Sequence, residues 1–335
     1  MQRMQAIPLH RIAIVLPFTR FLADIGAPVE RGFRQVGLPY AALEDVNHYV
    51  PTRKFWAFVG HMARSEGIED LGFQVGVKYG ANCADPHMSS LLCQSPTLHH
   101  AITTASALVR KTISRSRIGL VRQPPGNRLH FYHRASFASD NPFIDQMDWY
   151  GVMALLGKVR LFAGPQWQPA EIGVTIRHAP CRSIREQLPR TRILTSQPYA
   201  YISLDADLLS LPPNGHMATS EAQPYKSIPI GFIAELTEAL RVYLGEHDLS
   251  IELATDLCNT SKRSLQRKLS QAGTCFSELV DHVRFDAASD LLRAPDAKVT
   301  DIAHTLGYSD SAHFSRAFKR VAGVNPRVFR QQYQH

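Results

Sequence analysis

Between Ser261 and Gln271 the chain sets Lys262, Arg263, Gln266, Arg267 and Lys268, with no acidic residue among them. Side chains of these types read and hold nucleic acid. An arginine fork matches O6 and N7 of guanine, a glutamine amide matches N6 and N7 of adenine, and lysines neutralise phosphates. Leu265 and Leu269 are spaced to face one side of a helix, which puts Arg263, Gln266 and Arg267 on the other. A second stretch, Asp310 to Val321, holds Arg316, Lys319 and Arg320 against the single acid Asp310, with Phe314 and Phe318 at i, i+4. Alone, either stretch reads equally as a solvated face of an ordinary bundle; their repetition decides against that.

The repeat has an offset of 49 residues. Leu253-Ala254 recurs as Ile302-Ala303, Leu257 as Leu306, Leu265 as Phe314, Arg267 as Arg316 and Leu269 as Phe318. Each copy reads as a short helix, a turn and a second helix: 251–257 then 261–271, and 299–305 then 310–321. A small alanine lets the two helices cross closely, and apolar residues clamp the second onto the first. Thr300 is the expected N-cap of the 299–305 helix. Gly307 turns the chain in the second copy. In the first, Cys258 stands where that glycine would be, and Asn259 is the nearest residue able to adopt a left-handed conformation. Between the copies, Phe276, Leu279, Val283, Ala287 and Leu291 mark an amphipathic helix over 276–292. Seventeen residues give about 25 Å of rigid spacer, suited to presenting two helices to successive major grooves about 34 Å apart. A helix over about 230–245 precedes the first copy.

From about Pro229 to Tyr333 the chain resembles the DNA-binding domain of AraC/XylS-type transcriptional regulators. The stretch DIAHTLGYSDSAHFSRAFKRVAGVNPRVFR, Asp301 to Arg330, carries the likeness: Ile-Ala, Gly-Tyr, Phe-Ser-Arg-x-Phe-Lys, Gly, then Pro-x-x-Phe-Arg. The resemblance implies seven helices and two helix-turn-helix units. It implies base contacts at Arg263, Gln266 and Arg267 in the first unit. In the second, the corresponding positions are Ser311, Ala312, His313, Ser315 and Arg316. Ser311 and Ala312 are short, so this unit is expected to lean towards phosphates and positioning.

These elements belong to a chain of 335 residues with 44% apolar and 20% charged side chains, an ordinary globular composition that suggests two domains. The net charge is +8, and it is unevenly placed. Residues 1–225 carry 23 basic and 16 acidic side chains, whereas residues 226–335 carry 14 and 13. The Pro-, Gly- and Ser-rich stretch around Pro212, Pro213, Gly215, Ser220, Pro224 and Pro229 reads as a break. The expected organisation is therefore a sensing and dimerisation domain over 1–205, a linker over 206–225 and a DNA-binding domain over 226–335. No apolar run reaches the length needed to span a bilayer. Arg3 and the short apolar stretch Ile12–Phe18 fall short of a secretory leader. Cys83, Cys93, Cys181, Cys258 and Cys275 form no C-x-x-C pair, so reduced thiols and a cytoplasmic location are expected.

The N-terminal part reads as mixed α/β. Helices are expected over 17–26, 29–36, 52–65, 70–79, 97–116 and 141–162. Strands 118–122 and 128–134 flank Pro124-Pro125-Gly126-Asn127 as a hairpin, and further strands fall at 172–176 and 199–204. The stretch LGFQVGVKYG, from Leu71, and SSLLCQSPTLHHAITT, ending at Thr104, resemble the arabinose-binding-type N-terminal domain of one AraC subfamily, over about residues 15–205. That likeness implies a small-molecule-sensing, dimerising module.

Several residue sets there suggest sharper chemistry. Cys83, His87, Cys93, His99 and His100 include soft-metal ligands, but C-x3-H-x5-C-x5-H-H matches no standard site, and loop or helix-surface positions are the reading taken. Cys83 or Cys93 as a redox switch is the related alternative. His130, Tyr132 and His133 fit a half-exposed strand face, with pocket lining as the alternative. Arg110, Lys111, Arg115 and Arg117 fit the C-terminal end of a helix, where cations favour the dipole; an acidic effector such as a carboxylate is their rival reading. Dinucleotide, Walker A, G-x-S-x-G and H-E-x-x-H signatures are missing, so catalysis is not expected. The expected partners are promoter DNA, RNA polymerase, a small-molecule effector and a second copy of the chain; no cofactor or metal is expected.

Overall fold

The computed structural model of the chain describes residues 7–80, 86–124, 127–135, 142–214, 228–245, 249–293 and 297–333. The elements run β1 (Leu9–Arg11), α1 (Ile12–Asp24), α2 (Val29–Gln35), β2 (Tyr49–Pro51), α3 (Thr52–Ser65), α4 (Leu71–Tyr79), α5 (Pro86–Cys93) and α6 (Leu98–Thr112). Then come β3 (Ser116–Arg122), β4 (Arg128–Ala135), α7 (Ile144–Ala163), β5 (Glu171–Gly173), α8 (Arg182–Gln187), β6 (Arg192–Leu194) and β7 (Ala200–Asp205). Seven helices close the chain: α9 (Phe232–Arg241), α10 (Ile251–Leu257), α11 (Lys262–Gln271), α12 (Phe276–Leu292), α13 (Val299–Thr305), α14 (Ser311–Ala322) and α15 (Pro326–Tyr333). The mixed α/β part followed by an all-α part with two helix-turn-helix units is the expected fold class. By contacts the chain forms two compact units, one of residues 10–37 and 52–228, the other of residues 1–9, 38–51 and 229–335.

The first unit is built on a five-stranded sheet of order β3-β4-β7-β5-β6, antiparallel except for β5 with β6. The expected hairpin is β3–β4, running from Ser116 opposite Ala135 to Arg122 opposite Leu129. Arg115, in a left-handed conformation at φ 62°, turns the chain from α6 into it. Ser116 therefore begins a strand and does not end the helix, a correction to the 97–116 reading. Thr97 caps α6 by accepting from the His100 N–H, and Arg110 and Lys111 fall in its last turn, as the dipole reading requires, whereas Arg115 and Arg117 lie beyond the helix, in the turn and in β3. Phe131, Ile172, Ile202, Leu156 and Val159 are fully or almost fully buried where α7 covers the sheet.

Helix α7 is held by α4 through a glycine ladder. Gly72, Gly76 and Gly80 recur every four residues, the spacing inside LGFQVGVKYG. A Cβ on Gly72 would lie 2.1 Å from the Gln146 carbonyl oxygen, and one on Gly76 would lie 2.5 Å from the Met153 Cβ. The Gly72 N–H donates to Gln146 Oε1 at 2.7 Å, and Gln146 Nε2 donates to the Glu69 carbonyl at 2.7 Å. Backbone contact at this depth is open only to glycine.

In the second unit α12 is central. Ala287, Ala288 and Leu292 pack with Ile302, Ala303, Leu306, Phe314 and Phe318 in one core, against which Phe285 and Phe329 also pack. Arg320 of α14 pairs with Asp281 of α12 at 2.6 Å. Residues 7–9 and 38–51 belong to this unit as well: the Ile7 N–H donates to the buried Glu235 carboxylate of α9 at 2.8 Å. The expected Thr300 cap is corrected: the helix begins at Val299, Lys298 occupies the N-cap position without a side-chain cap bond, and Thr300 lies within the first turn.

Candidate DNA interface and effector cavity

Each helix-turn-helix turns on one left-handed residue. In the second copy it is Gly307, at φ 76°, and the Tyr308 N–H closes back on the Ala303 carbonyl at 2.9 Å. In the first it is Asn259, at φ 47°, with the Thr260 N–H on the Thr255 carbonyl at 3.0 Å. Cys258 stays in the helical region, so asparagine and not cysteine stands in for the glycine. The second helices start from side-chain caps, Ser261 accepting from the Ser264 N–H and Asp310 from the His313 N–H.

Leu265 and Leu269 are buried, while Lys262, Arg263, Gln266 and Arg267 are exposed on α11. Arg263, Gln266 and Arg267 engage no other described side chain. Lys262 reaches Glu252 at 3.2 Å. Lys268 is half-buried, its ammonium 5.1 Å from the Phe232 ring centroid, a contact that ties α11 to α9. On α14, His313, Arg316 and Lys319 are exposed. The His313 ring packs edge-on against Tyr308 at 5.3 Å, and the Ser315 hydroxyl is spent on the Ser311 carbonyl at 2.7 Å. Ser311 is half-buried and Ala312 exposed.

The first unit holds a cavity of about 70 Å³ that sequence reasoning did not locate. Its wall includes the apolar Ile14, Met88, Val109, Ile118, Met147 and Leu155, and, with polar groups, His10, Trp56, Tyr150, Ser116, His133 and Lys158. His10 Nδ1 lies 2.7 Å from Thr52 Oγ1, and Ser116 Oγ lies 3.0 Å from His133 Nε2. Gly151 leaves the room that His133 occupies: a Cβ there would sit 2.8 Å from His133 Nδ1. Burial, reinforced by His133, holds His10 down at about 3; burial, reinforced by the Lys158 charge, holds His133 at about 4. Both imidazoles are therefore neutral at physiological pH. Lys158 is 7% exposed and its Nζ donates only to the Ala154 carbonyl, at 3.0 Å. Trp56 Nε1 is buried without an acceptor.

Other residues singled out by type are scattered. Cys83 and the His87 side chain lie outside the described residues. Cys93 is half-buried, His99 is exposed, and His100 contacts Ser95 Oγ at 3.1 Å. Among the described residues no three His, Cys, Asp or Glu side chains gather as a metal site. Of the β4 trio, His130 stacks on Tyr201 at 3.7 Å and Tyr132 leans on Tyr199 at 5.4 Å, so only His133 reaches the cavity. Arg117 lies on an open surface groove with Arg134 and Arg177. No described helix is long and apolar enough to cross a membrane.

Comparison with known proteins agrees with both halves. Residues 254–332 match the model of a helix-turn-helix domain, and residues 26–213 match the arabinose-binding domain of AraC transcription regulator, N-terminal. The HTH-type transcriptional activator RhaS of Enterobacter sp. (strain 638) is 38% identical over 96 residues, 28% of this chain and 34% of that protein. RhaS of Escherichia coli O1:K1 is 36% identical over the same length. The chain thus spans about a third of the length of the curated relatives it matches. A crystal structure of the transcriptional regulator CdpR from Pseudomonas aeruginosa aligns over 94% of this chain and 97% of its own, at 19% identity and a TM-score of 0.41. With the arabinose-binding-domain model alone matching more than half of its residues, the chain belongs to the AraC family of transcription regulators.

Proposed function

We propose that the protein is a transcription activator that reads promoter DNA through α11 and α14, under the control of a small molecule held in the cavity of its other unit. The carrying observation is the face of α11, where Arg263, Gln266 and Arg267 are exposed and unengaged on a helix locked by buried leucines. In this reading α11 specifies sequence, with Lys262 and Lys268 flanking its readers. On α14, Ser311, His313, Ser315, Arg316 and Lys319 face DNA; the short Ser311 and the committed Ser315 hydroxyl favour phosphate contact and positioning. The active form is a homodimer, and its downstream partner is RNA polymerase in the cytoplasm. The effector signal passes through the connecting chain: the 206–225 linker, and the junction at which cavity-lining His10 directly follows Leu9 of the DNA-binding unit.

A titration of wild type and variants against a cognate promoter tests the DNA reading. Arg267→Ala is expected to lose about 1–3 kcal/mol and to relax base preference at its position. Lys319→Ala is expected to weaken binding evenly across sequences and to lower the salt slope by about one. Wild-type affinity and specificity in Arg267→Ala would remove α11 as the reader.

A further inference from the structure

Two donors on the wall of the cavity have hydrogen-bonding capacity to spare. Ser116 is engaged with His133, Thr112 with the carbonyls of Leu108 and Val109, and Thr52 beside the cavity holds His10. Trp56 Nε1–H has no acceptor, and Lys158 uses one of its three N–H bonds. Lys158 is also the one Lys or Arg among the described lining residues, and among the described residues no carboxylate pairs with it. A buried cation without a counter-charge is costly, and so is a buried indole N–H without an acceptor. The protein keeps both on the wall of one small apolar space.

We infer that this cavity binds a short-chain monocarboxylate, its carboxylate on Lys158 Nζ and Trp56 Nε1 and its alkyl group among Ile14, Val109, Ile118 and Leu155. The inference rests on the reading of the cavity as the effector site and names the class of effector. An ionised carboxylate is acceptor-only, which matches a site whose spare groups are donors. A sugar does not match: each of its hydroxyls also needs an acceptor, and few are left unspent. A phosphate does not match either, since it brings more charge than one lysine balances and asks for several charged donors. Size sets the rest. The cavity is about 70 Å³, roughly half of one known to take benzene, which limits the guest to an acid of about two or three carbons. The rival reading of an acidic effector placed it on Arg110, Lys111, Arg115 and Arg117; here the buried lysine of α7 takes that part.

The test is isothermal titration of the full chain with propionate, 1-propanol and L-arabinose. Propionate is expected to bind at least ten-fold more tightly than propanol, and arabinose not at all. Lys158→Met, which keeps the length of the side chain and removes the charge, should reverse the order so that propanol binds better. Trp56→Phe should weaken propionate several-fold and leave propanol unchanged. Circular dichroism melts confirm that each variant is folded, and Trp56→Phe serves as the deciding variant should Lys158→Met not be. If propanol binds wild type as well as propionate does, the carboxylate assignment falls while the cavity stands as a binding site. If neither binds, the cavity is not the effector site and both readings fall.

Discussion

Gly72→Ala is expected to lower the stability of the cavity-bearing unit by about 3–5 kcal/mol, although alanine is the better helix former. Two effects of opposite sign meet at this position. Replacing glycine inside a helix gains up to about 1 kcal/mol in propensity. Against that, the new methyl carbon would lie 2.1 Å from the Gln146 carbonyl oxygen and 2.8 Å from its carbon. Backbone cannot rotate away as a side chain can, so α4 and α7 must separate. Overpacking of this kind costs about 1–3 kcal/mol where neighbours can adjust and more where they cannot. Separation also strains the buried bond from the Gly72 N–H to Gln146 Oε1, and a lost buried hydrogen bond adds about 1–3 kcal/mol. Gly76→Ala meets the Met153 Cβ at 2.5 Å, a less severe overlap than the 2.1 Å at Gly72, and should lose less. Calorimetric melts of the two variants check the order. A Gly72→Ala protein within about 1 kcal/mol of wild type would mean that α7 is not seated by this crossing. The consequence reaches the cavity, because α7 carries Tyr150, Gly151, Ala154, Leu155 and Lys158 into its wall.

The same glycines show what a sequence can and cannot disclose. Their i, i+4, i+8 spacing was visible as part of a resembling stretch, but its partner, Gln146, lies 74 residues away and nothing local points to it. Both helix-turn-helix units were legible because each carries its evidence locally: amphipathic spacing, a cap and a turn. In the first unit the left-handed turn falls on Asn259, the residue whose type allowed it, and not on Cys258. Helix α1 begins at Ile12, five residues before the expected start. Ile12 to Val15 are all buried, and a stretch buried on every side has no polar face to reveal its period. The cavity was the least legible feature. Its polar lining comes from β1, α3, α6–β3, β4 and α7, and each residue alone has a bland reading. Lys158 looks like one more surface cation until α7 is seen to bury it. His133 looks like its neighbour His130 until Gly151 is seen to admit it.

Acidification from pH 6.5 to 4.5 is expected to cost the cavity-bearing unit about 3 kcal/mol, through groups whose contributions oppose one another. His10 and His133 titrate near 3 and 4 in the folded chain, against an ordinary value of 6.5. By pH 4.5 the unfolded chain holds about two protons on these residues that the folded one largely refuses, so stability falls as pH falls. Asp148 runs the other way. Its buried carboxyl, partly steadied by the N–H and hydroxyl of Thr175, is raised to about 6 from 3.8. Below pH 6 the folded chain holds a proton that the unfolded one lacks, and this returns about 2 kcal/mol of the roughly 5 lost by the two histidines. The net slope is about one proton across the range, because near pH 6.5 the unfolded imidazoles are only about half charged and below pH 6 Asp148 offsets one of them. Urea melts at pH 7.5, 6 and 4.5 read it directly. His133→Gln should remove about half of the histidine loss, and Asp148→Asn should make the protein more acid-sensitive, not less. Because these two substitutions shift the pH dependence in opposite directions, a general loss of packing cannot imitate the pair. A wild-type profile flat from 7.5 to 4.5 would mean that neither imidazole is held neutral in the folded chain.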